Sequence, residues 1–167
     1  MNKTINVMIA GIGGQGVIKA SDVLSLAAFR SGYDVKKSEL HGMSQRGGSV
    51  CSDVRFGPKV WSPMVPPGEA DFLLALEPDE LRIDRGQLRR EGVIVSAEAV
   101  EVTRLSNRKC LNLALLGVLS AQLDIPNECW LEAIHASFPE KFHAVNEQAF
   151  AEGRRAAEAR RNGTPPL

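Results

Sequence analysis

The chain has 167 residues, and its 20 lysines and arginines balance its 20 aspartates and glutamates, so the formal net charge is zero. A neutral chain is a poor candidate for bulk electrostatic binding to nucleic acid or to a membrane surface, and its apolar runs are shorter than the roughly 18 residues that a membrane span needs. Three widely spaced cysteines without a C-x-x-C pair predict neither a disulfide framework nor an iron–sulfur or zinc site. We therefore expect one cytoplasmic domain over residues 1–161 and a flexible tail at 162–167.

The N-terminal stretch indicates the fold class. An apolar run, Ile5–Ala10, leads into the glycine-rich turn Gly11–Gly16, and apolar residues then recur every three or four positions over Val17–Ala28. This order predicts a buried strand, a tight turn and an amphipathic helix. It is typical of the first unit of an open, Rossmann-like sheet, where the helix N-terminus presents unpaired N–H groups to an anion.

The next segments predict a short strand, a polar loop and a longer strand. Tyr33–Lys37 is short and extended, whereas Ser38–Gly48 is polar and interrupted by glycines without a usable period. Apolar and polar residues alternate over Ser49–Phe56, which is the pattern of a strand with one wetter face. After the Gly57-Pro58 turn, Val60–Ser62 is a candidate hairpin partner for that strand.

A strand covered on both faces is predicted at Asp71–Leu76, because its apolar run is continuous. It ends at Glu77-Pro78, which is a good start for a short charged helix. Val93–Val95 is predicted as another strand, and Glu101–Thr103 is a candidate short strand.

The last third of the chain predicts three helices. Lys109–Leu123 is apolar almost all round, as in a deeply buried helix, while Asn127–Ser137 and Lys141–Arg161 each carry one apolar face. Together the elements predict an α/β fold, with an open Rossmann-like, mainly parallel sheet, flanking helices and a helical C-terminal part.

The glycine turn also fits the dinucleotide fingerprint. Gly11, Gly13 and Gly16 stand in the order G-x-G-x-x-G between a strand and a helix, which makes a Rossmann-type NAD(P)-binding oxidoreductase one hypothesis. The fingerprint includes an acidic residue at the end of the second strand, where it binds the ribose. Here the predicted strand ends in Lys36-Lys37, and Glu39 already lies in the loop. The alternative is a glycine turn that only permits close packing.

The loop Ser38–Gly48 (SELHGMSQRGG) combines a carboxylate, an imidazole, an amide, hydroxyls and a guanidinium with three glycines. Loops that leave the carboxyl ends of strands line the binding crevice of an open α/β sheet. We therefore predict a contact loop beside the glycine turn, rather than a solvated surface loop. Side chains as close in sequence as Glu39, His41 and Ser44 seldom converge for catalysis, so we assign no catalytic residue, and no metal-ligand spacing is present.

Several motifs together resemble one family. The stretches GIGGQGV, KKSELHGMSQRGGSV, VRFG, VWSP and DFLLALEPDE, with NLALLG and NEQAF nearer the C-terminus, are similar to the small (beta) subunit of indolepyruvate:ferredoxin oxidoreductases. They also resemble, more distantly, the gamma subunit or domain of the wider 2-oxoacid:ferredoxin oxidoreductases. The resemblance runs over most of the chain, and SELHGMSQRGG is its most specific part. The connection between Val95 and Asn112 is shorter than this family leads us to expect.

The resemblance implies that residues 1–161 form a single gamma-type domain that serves as an accessory subunit. In that family the complex oxidatively decarboxylates 2-oxoacids, here indolepyruvate or another aryl pyruvate, to acyl-CoA. It uses thiamine diphosphate, iron–sulfur clusters and coenzyme A, and it passes electrons to ferredoxin. The large subunit carries the thiamine diphosphate and the clusters, so this chain alone is expected to bind no cofactor and to be inactive.

By the same analogy, residues of the two glycine-rich loops would contact the large subunit near its active centre: Gly13, Gly14, Gln15, Gly16, Glu39, His41, Gly42, Ser44, Gln45 and Arg46. Two other interpretations stay open. One is the stand-alone NAD(P)-binding oxidoreductase module, and the other is a structural or regulatory module that keeps the fold without its partner.

Overall fold

A computed structural model describes residues 3–42 and 47–162, and a five-stranded sheet forms its centre. The strands are β1 Ile5–Ile12, β2 Asp34–His41, β3 Ser49–Gly57, β4 Ala70–Ala75 and β5 Leu88–Ser96, in the spatial order β2-β3-β1-β4-β5. β1 is parallel to β4 and β4 to β5, whereas β3 is antiparallel to β1 and to β2. Every strand except β3 therefore runs in one direction, and the predicted mainly parallel α/β sheet is confirmed.

The helices of the described residues pack on both faces of this sheet. They are α1 Val17–Arg30, α2 Pro78–Asp84, α3 Leu111–Ser120, α4 Asn127–Ser137 and α5 His143–Arg161. Alternate residues of β1 divide between two apolar clusters. Val7 and Ile9 join the large cluster with α1, α3, α4 and α5, while Met8 and Ala10 join a small cluster with Leu81 of α2. The burial of β1 on both faces explains its unbroken apolar run.

Helix α3 lies at the centre of the large cluster, and every residue from Asn112 to Ser120 is buried. Its contact with α5 is close because glycines replace side chains at the crossing. A Cβ atom added to Gly153 would lie 1.8 Å from the carbonyl oxygen of Ala114, and one added to Gly117 would lie 2.1 Å from that of Phe150. The predicted deeply buried helix is confirmed.

Strand β2 is longer than predicted, and this corrects the boundary of the polar loop. Ser38–His41 pair with residues 50–53 of β3 instead of forming a loop. Backbone hydrogen bonds to a neighbouring strand thus override a polar sequence without apolar alternation, because β2 is an edge strand with much of its surface in water.

Two candidate short strands are wrong. Val60–Ser62 belongs to no strand, and side chains bond its backbone instead, including Asp34, which accepts from Val60 N at 2.9 Å. Val102–Arg104 is a 3₁₀ turn, one of three such turns between β5 and α3. The predicted tail at 162–167 lies outside the described residues except for Asn162.

Candidate functional site

The candidate site lies at the edge of the sheet where β1, β2, β4 and β5 end and β3 begins. We call it the glycine site, and it comprises Gly13–Gly16 with Gly42, Gly47 and Gly48. Gly13 N donates a hydrogen bond to Gly48 O at 2.9 Å. A Cβ atom on Gly13 would lie 3.5 Å from Gly47 N, which is ordinary contact. Gly47 and Gly48, the last residues of the predicted polar loop, therefore lie beside the glycine turn.

Gln15 closes the glycine turn with its side chain. Its Oε1 accepts from Ile12 N at 2.9 Å, and its Nε2 donates to Glu77 Oε2 at 2.8 Å. The amide thereby links the end of β1 to Glu77, the N-cap residue of α2. Gln15 consequently determines the shape of the turn, and both ends of its side chain are occupied within this chain.

Gly16 joins the glycine turn to α3 through a residue that the sequence did not single out. Its φ of 83° lies in the left-handed region, and its carbonyl oxygen accepts from Ala20 N at 2.9 Å and from Asn112 Nδ2 at 3.1 Å. Asn112 is only 5% exposed, and a buried amide needs such a partner. The available signal was a polar residue within the apolar run of α3.

On the α2 side of the sheet, acidic groups lie close to the start of β3. Ser49 Oγ donates to Glu80 Oε2 at 2.6 Å, and Glu80 is buried. Burial, helped by the nearby charges of Asp84, Asp53 and Glu80, raises the pKa of Cys51 to about 12. The Cys51 thiol therefore stays protonated at neutral pH, and a protonated thiol is neither a nucleophile nor a metal ligand.

Glu39 and His41 lie on the last part of β2 rather than in the glycine turn. Glu39 Oε1 is 2.7 Å from Lys37 Nζ, which is also 2.5 Å from Asp22 Oδ1 on α1, and Glu39 Oε2 is 3.6 Å from His41 Nε2. Burial alone would lower the pKa of Lys37, but its hydrogen bonds to the two carboxylates outweigh burial and raise the pKa. Glu39 is thus part of an ion network between β2 and α1.

The sheet register gives the separation of these predicted residues. Val50 of β3 pairs with Gly11 on one side and with His41 on the other, so His41 lies two strand spacings from the glycine turn, about 10 Å. The fold brings Gly13–Gly16 and Gly42 to the same end of the sheet, but Gly42, whose N donates to Ser49 O, lies with Glu39 and His41 on the far side of β3 from the glycine turn. Ser44, Gln45 and Arg46 lie outside the described residues, and their contact role stays a prediction.

An open cleft borders the glycine turn. One part has a volume of about 370 Å³ and is lined by Gly14, Gln15, Leu76, Arg108, Lys109 and Leu111. A neighbouring part of about 270 Å³ adds Lys19 at the first turns of α1. The N-terminus of α1 has no acidic residue in its first turn, so its N–H groups and these cations favour an anionic group. Sequence reasoning missed Arg108 and Lys109, which only the fold brings beside the turn.

The geometry does not favour a dinucleotide. In the fingerprint the ribose-binding acid ends the strand next to β1, but here β3 lies between β1 and β2. Glu39, the nearest acid after the second strand, is bound to Lys37.

The described residues do not fit a metal or an iron–sulfur cluster. Residues 3–42 and 47–162 contain no group of three histidine, cysteine or carboxylate side chains arranged to hold a metal ion. The three cysteines are unbridged, and burial raises the pKa of the Cys110 thiol as well as that of Cys51. Within the same part of the chain, no helix has the length and apolar character needed to cross a membrane.

Comparison with known proteins gives consistent matches. Residues 6–102 match the family model described as pyruvate ferredoxin/flavodoxin oxidoreductase. The chain is 33% identical, over 195 residues, to indolepyruvate oxidoreductase subunit IorB of Thermococcus kodakarensis, and the match covers 93% of this chain and 96% of that protein.

Two solved structures share the fold. The keto/oxoacid ferredoxin oxidoreductase gamma subunit of Geobacter sulfurreducens superimposes with a TM-score of 0.79 at 23% identity, covering 93% of this chain and 99% of that one. The 2-oxoglutarate:ferredoxin oxidoreductase of Magnetococcus marinus, solved with 2-oxoglutarate, coenzyme A and succinyl-CoA bound, gives 0.83 at 19% identity and covers 95% of this chain but 32% of its own longer chain. On the family match and the full-length relative, this chain belongs to the pyruvate ferredoxin/flavodoxin oxidoreductase family.

Proposed function

We propose that this chain is the accessory subunit of a thiamine-diphosphate-dependent oxidoreductase that converts indolepyruvate or another aryl pyruvate to its acyl-CoA and reduces ferredoxin. Its glycine site docks on the large subunit beside the active centre of the complex. The observation that carries this proposal is the bonding of two glycine-rich segments, through Gly13 N and Gly48 O, next to a cleft lined by cations.

The glycine site suits close approach by another molecule. Gly13, Gly14, Gly42 and Gly47 are exposed, and without side chains they let a partner's backbone or a cofactor reach the main chain directly. The turn beneath them is already shaped by Gln15 and its two hydrogen bonds. A surface that is ordered before binding loses less conformational entropy when the partner docks.

The cleft supplies positive charge without catalytic groups of its own. Arg108 and Lys109 line it, and Lys19 lies at its continuation. We propose that it receives phosphate groups of coenzyme A once the large subunit closes its open side. The Magnetococcus marinus relative was solved with coenzyme A bound, which supports this choice of ligand. Thiamine diphosphate, the clusters and the contact with ferredoxin belong to the large subunit, and the complex works in the cytoplasm.

The first test is reconstitution. The chain is co-expressed with a large subunit that carries a thiamine diphosphate motif and ferredoxin-like cysteine runs, and the pair is co-purified. Several 2-oxoacids are then assayed with coenzyme A and a low-potential electron acceptor. We expect a stable complex with the highest kcat/KM on an aryl pyruvate, and no turnover by this chain alone. Turnover of indolepyruvate by the isolated chain contradicts the accessory role.

The second test separates the cleft from the rest of the surface. Lys109→Gln removes one exposed cation of the cleft, and Arg90→Gln removes an exposed cation from the amino-terminal half of β5 as a matched control. A charge-assisted hydrogen bond contributes about 1.5–3 kcal/mol, so we expect the KM for coenzyme A to rise about tenfold or more in the first variant. The control keeps the wild-type KM. If the two substitutions change the KM for coenzyme A equally, the proposal that the cleft binds coenzyme A is contradicted.

Calorimetry addresses the nucleotide-binding alternative. The isolated chain is titrated with NADH and with NADPH, and we expect no binding, because the acid that would bind the ribose is bound to Lys37 across β3 from the turn. Micromolar affinity for either nucleotide would favour the stand-alone oxidoreductase module instead.

A further inference from the structure

A second surface lies at the opposite edge of the sheet. The Trp61 loop, residues 58–69, connects β3 to β4 and crosses the amino end of β1, which lies between those strands. Val60 and Val65 are 2% and 8% exposed, whereas Trp61 and Met64 between them are 87% and 54% exposed. The loop is thus attached to the core at two points and presents two large apolar side chains to solvent.

Two aspartates hold these attachment points. Asp34 Oδ2 accepts from Val60 N, and Asp53 Oδ2 accepts from Val65 N, both at 2.9 Å. Asp53 is only 5% exposed, and its Oδ1 has no hydrogen-bond partner among the described residues. Burial raises the pKa of the Asp53 carboxyl, although the Val65 bond opposes the change. Burial therefore disfavours the charged form of Asp53, yet the fold places this carboxyl group where its hydrogen bond to Val65 N orders the loop.

Arg55 orders the exposed tip. Its Nη1 donates to the carbonyl oxygens of Ser62 and Met64, each at 3.0 Å, and its Nε donates to Asn6 Oδ1 at 2.9 Å. Four of the twelve loop residues are prolines, which reduce the conformational freedom of the unfolded loop. The backbone on both sides of Pro63 is consequently ordered before any partner arrives.

We infer that the Trp61 loop is a second docking element for the large subunit, with Trp61 inserting into an apolar pocket whose rim carries carboxylates. The inference rests on the function proposed above. Exposed tryptophans on ordered loops have the properties of interface hot spots, because they bury much apolar area and lose little entropy on binding.

The small area of this surface indicates a partner that is already bound to another surface of the chain, as we propose for the large subunit at the glycine site. A tryptophan buries about 150–250 Å², whereas a stable interface buries about 800 Å² on each partner. Trp61 and Met64 are too small to hold a partner unaided. They add affinity to a partner that the glycine site already brings near, because the second contact is then intramolecular.

The charge around the tip argues for a different protein rather than a second copy. Lys59 Nζ lies 5.2 Å from the centroid of the Trp61 ring, and both Lys59 and Lys36 contact Asp34, at 3.9 Å and 3.5 Å. Arg55 is offset by the nearby Asp53, whereas Lys59 and Lys36 outnumber the one carboxylate that they share. A two-fold copy would place like charges against each other, whereas carboxylates on a partner complement them.

The test measures the affinity of the large subunit for purified variants of this chain. Trp61→Ala is compared with Phe29→Ala, because Phe29 on α1 is also a large exposed apolar side chain, at 66%, and no comparable set of bonds displays it. We expect the Kd to rise about thirtyfold or more for Trp61→Ala, as for a hot spot, and to stay at the wild-type value for Phe29→Ala. Thermal midpoints of the two isolated variants match that of the wild type.

The outcomes separate this inference from the proposed function. If the wild-type chain binds the large subunit and Trp61→Ala binds equally well, the inference fails while the proposed function stands. If the wild-type chain does not bind at all, both fail. If sedimentation shows that the isolated chain forms a dimer that Trp61→Ala abolishes, the occupant is a second copy and the inference is overturned.

Discussion

Substitution of Gly16 by alanine tests the conformation of the glycine turn and its link to α3. Two effects add at this position. The backbone φ of 83° costs a residue with a Cβ atom about 1–2 kcal/mol. The new Cβ atom would also lie 2.5 Å from Asn112 Nδ2, so the Asn112 amide has to move. Its bond to Gly16 O is then lost, and a buried unpaired donor costs about 1–3 kcal/mol.

Gly14→Ala is the matched control, because it shares one effect and not the other. Its φ is 97°, and a Cβ atom there would meet nothing within 4 Å. We expect Gly16→Ala to lower the free energy of unfolding by about 2–5 kcal/mol, and Gly14→Ala by about 1–2 kcal/mol. Both values come from chemical denaturation followed by circular dichroism, with linear extrapolation to water.

A double-mutant cycle identifies the cause of the difference. In the background of Asn112→Ala the amide is gone, so the additional loss from Gly16→Ala should fall to the value seen for Gly14→Ala. Equal losses for Gly14→Ala and Gly16→Ala in the wild-type background would refute the reasoning, as would full additivity of Gly16→Ala and Asn112→Ala.

Two further predictions concern the core and a buried thiol. Gly153→Ala places a Cβ atom 1.8 Å from Ala114 O, so α3 and α5 must separate, and we expect the free energy of unfolding from chemical denaturation to fall by about 1–3 kcal/mol. Gly86→Ala is the control, because its Cβ atom meets nothing within 4 Å, and its free energy of unfolding stays near that of the wild type. Similar values for the two variants would contradict the close contact between α3 and α5. The pKa of Cys51 is raised from 9.0 to about 12, so at pH 8 the folded chain holds roughly a thousandfold less Cys51 thiolate than the unfolded chain. Alkylation of Cys51, followed by peptide mass spectrometry, should be slower in the folded chain by about that factor and should rise about tenfold per pH unit; equal rates in folded and unfolded chains would contradict it.

Local patterns in the sequence determined most of the secondary structure. The apolar run, glycine turn and helical period of Ile5–Ala28 predicted β1 and α1, and the single apolar face of Asn127–Ser137 predicted α4 with the observed bounds. Such patterns succeed because they record which side of an element faces the core. The motif SELHGMSQRGG also pointed to the family without any knowledge of the fold.

Local sequence patterns did not predict the full edge strand β2 or the short connections. Ser38–His41 is polar apart from the exposed Leu40, and it is a strand only because β3 offers hydrogen-bond partners along its length. The candidate strand at Glu101–Thr103 is replaced by the 3₁₀ turn Val102–Arg104, because three residues without a neighbouring strand gain nothing from an extended backbone.

The tertiary structure alone decided what surrounds the glycine turn. Antiparallel β3 separates β2 from β1. Glu39 and His41 therefore lie away from the glycine turn, although the sequence predicts both residues in a loop beside it. Asn112 reaches Gly16 across 96 residues of chain, and the cations of the cleft arrive with the start of α3. Periodicity encodes the burial of a residue, whereas contacts between distant residues depend on the path of the chain through the sheet. The sequence therefore determined the family and the elements, and the fold decided which residues share a site.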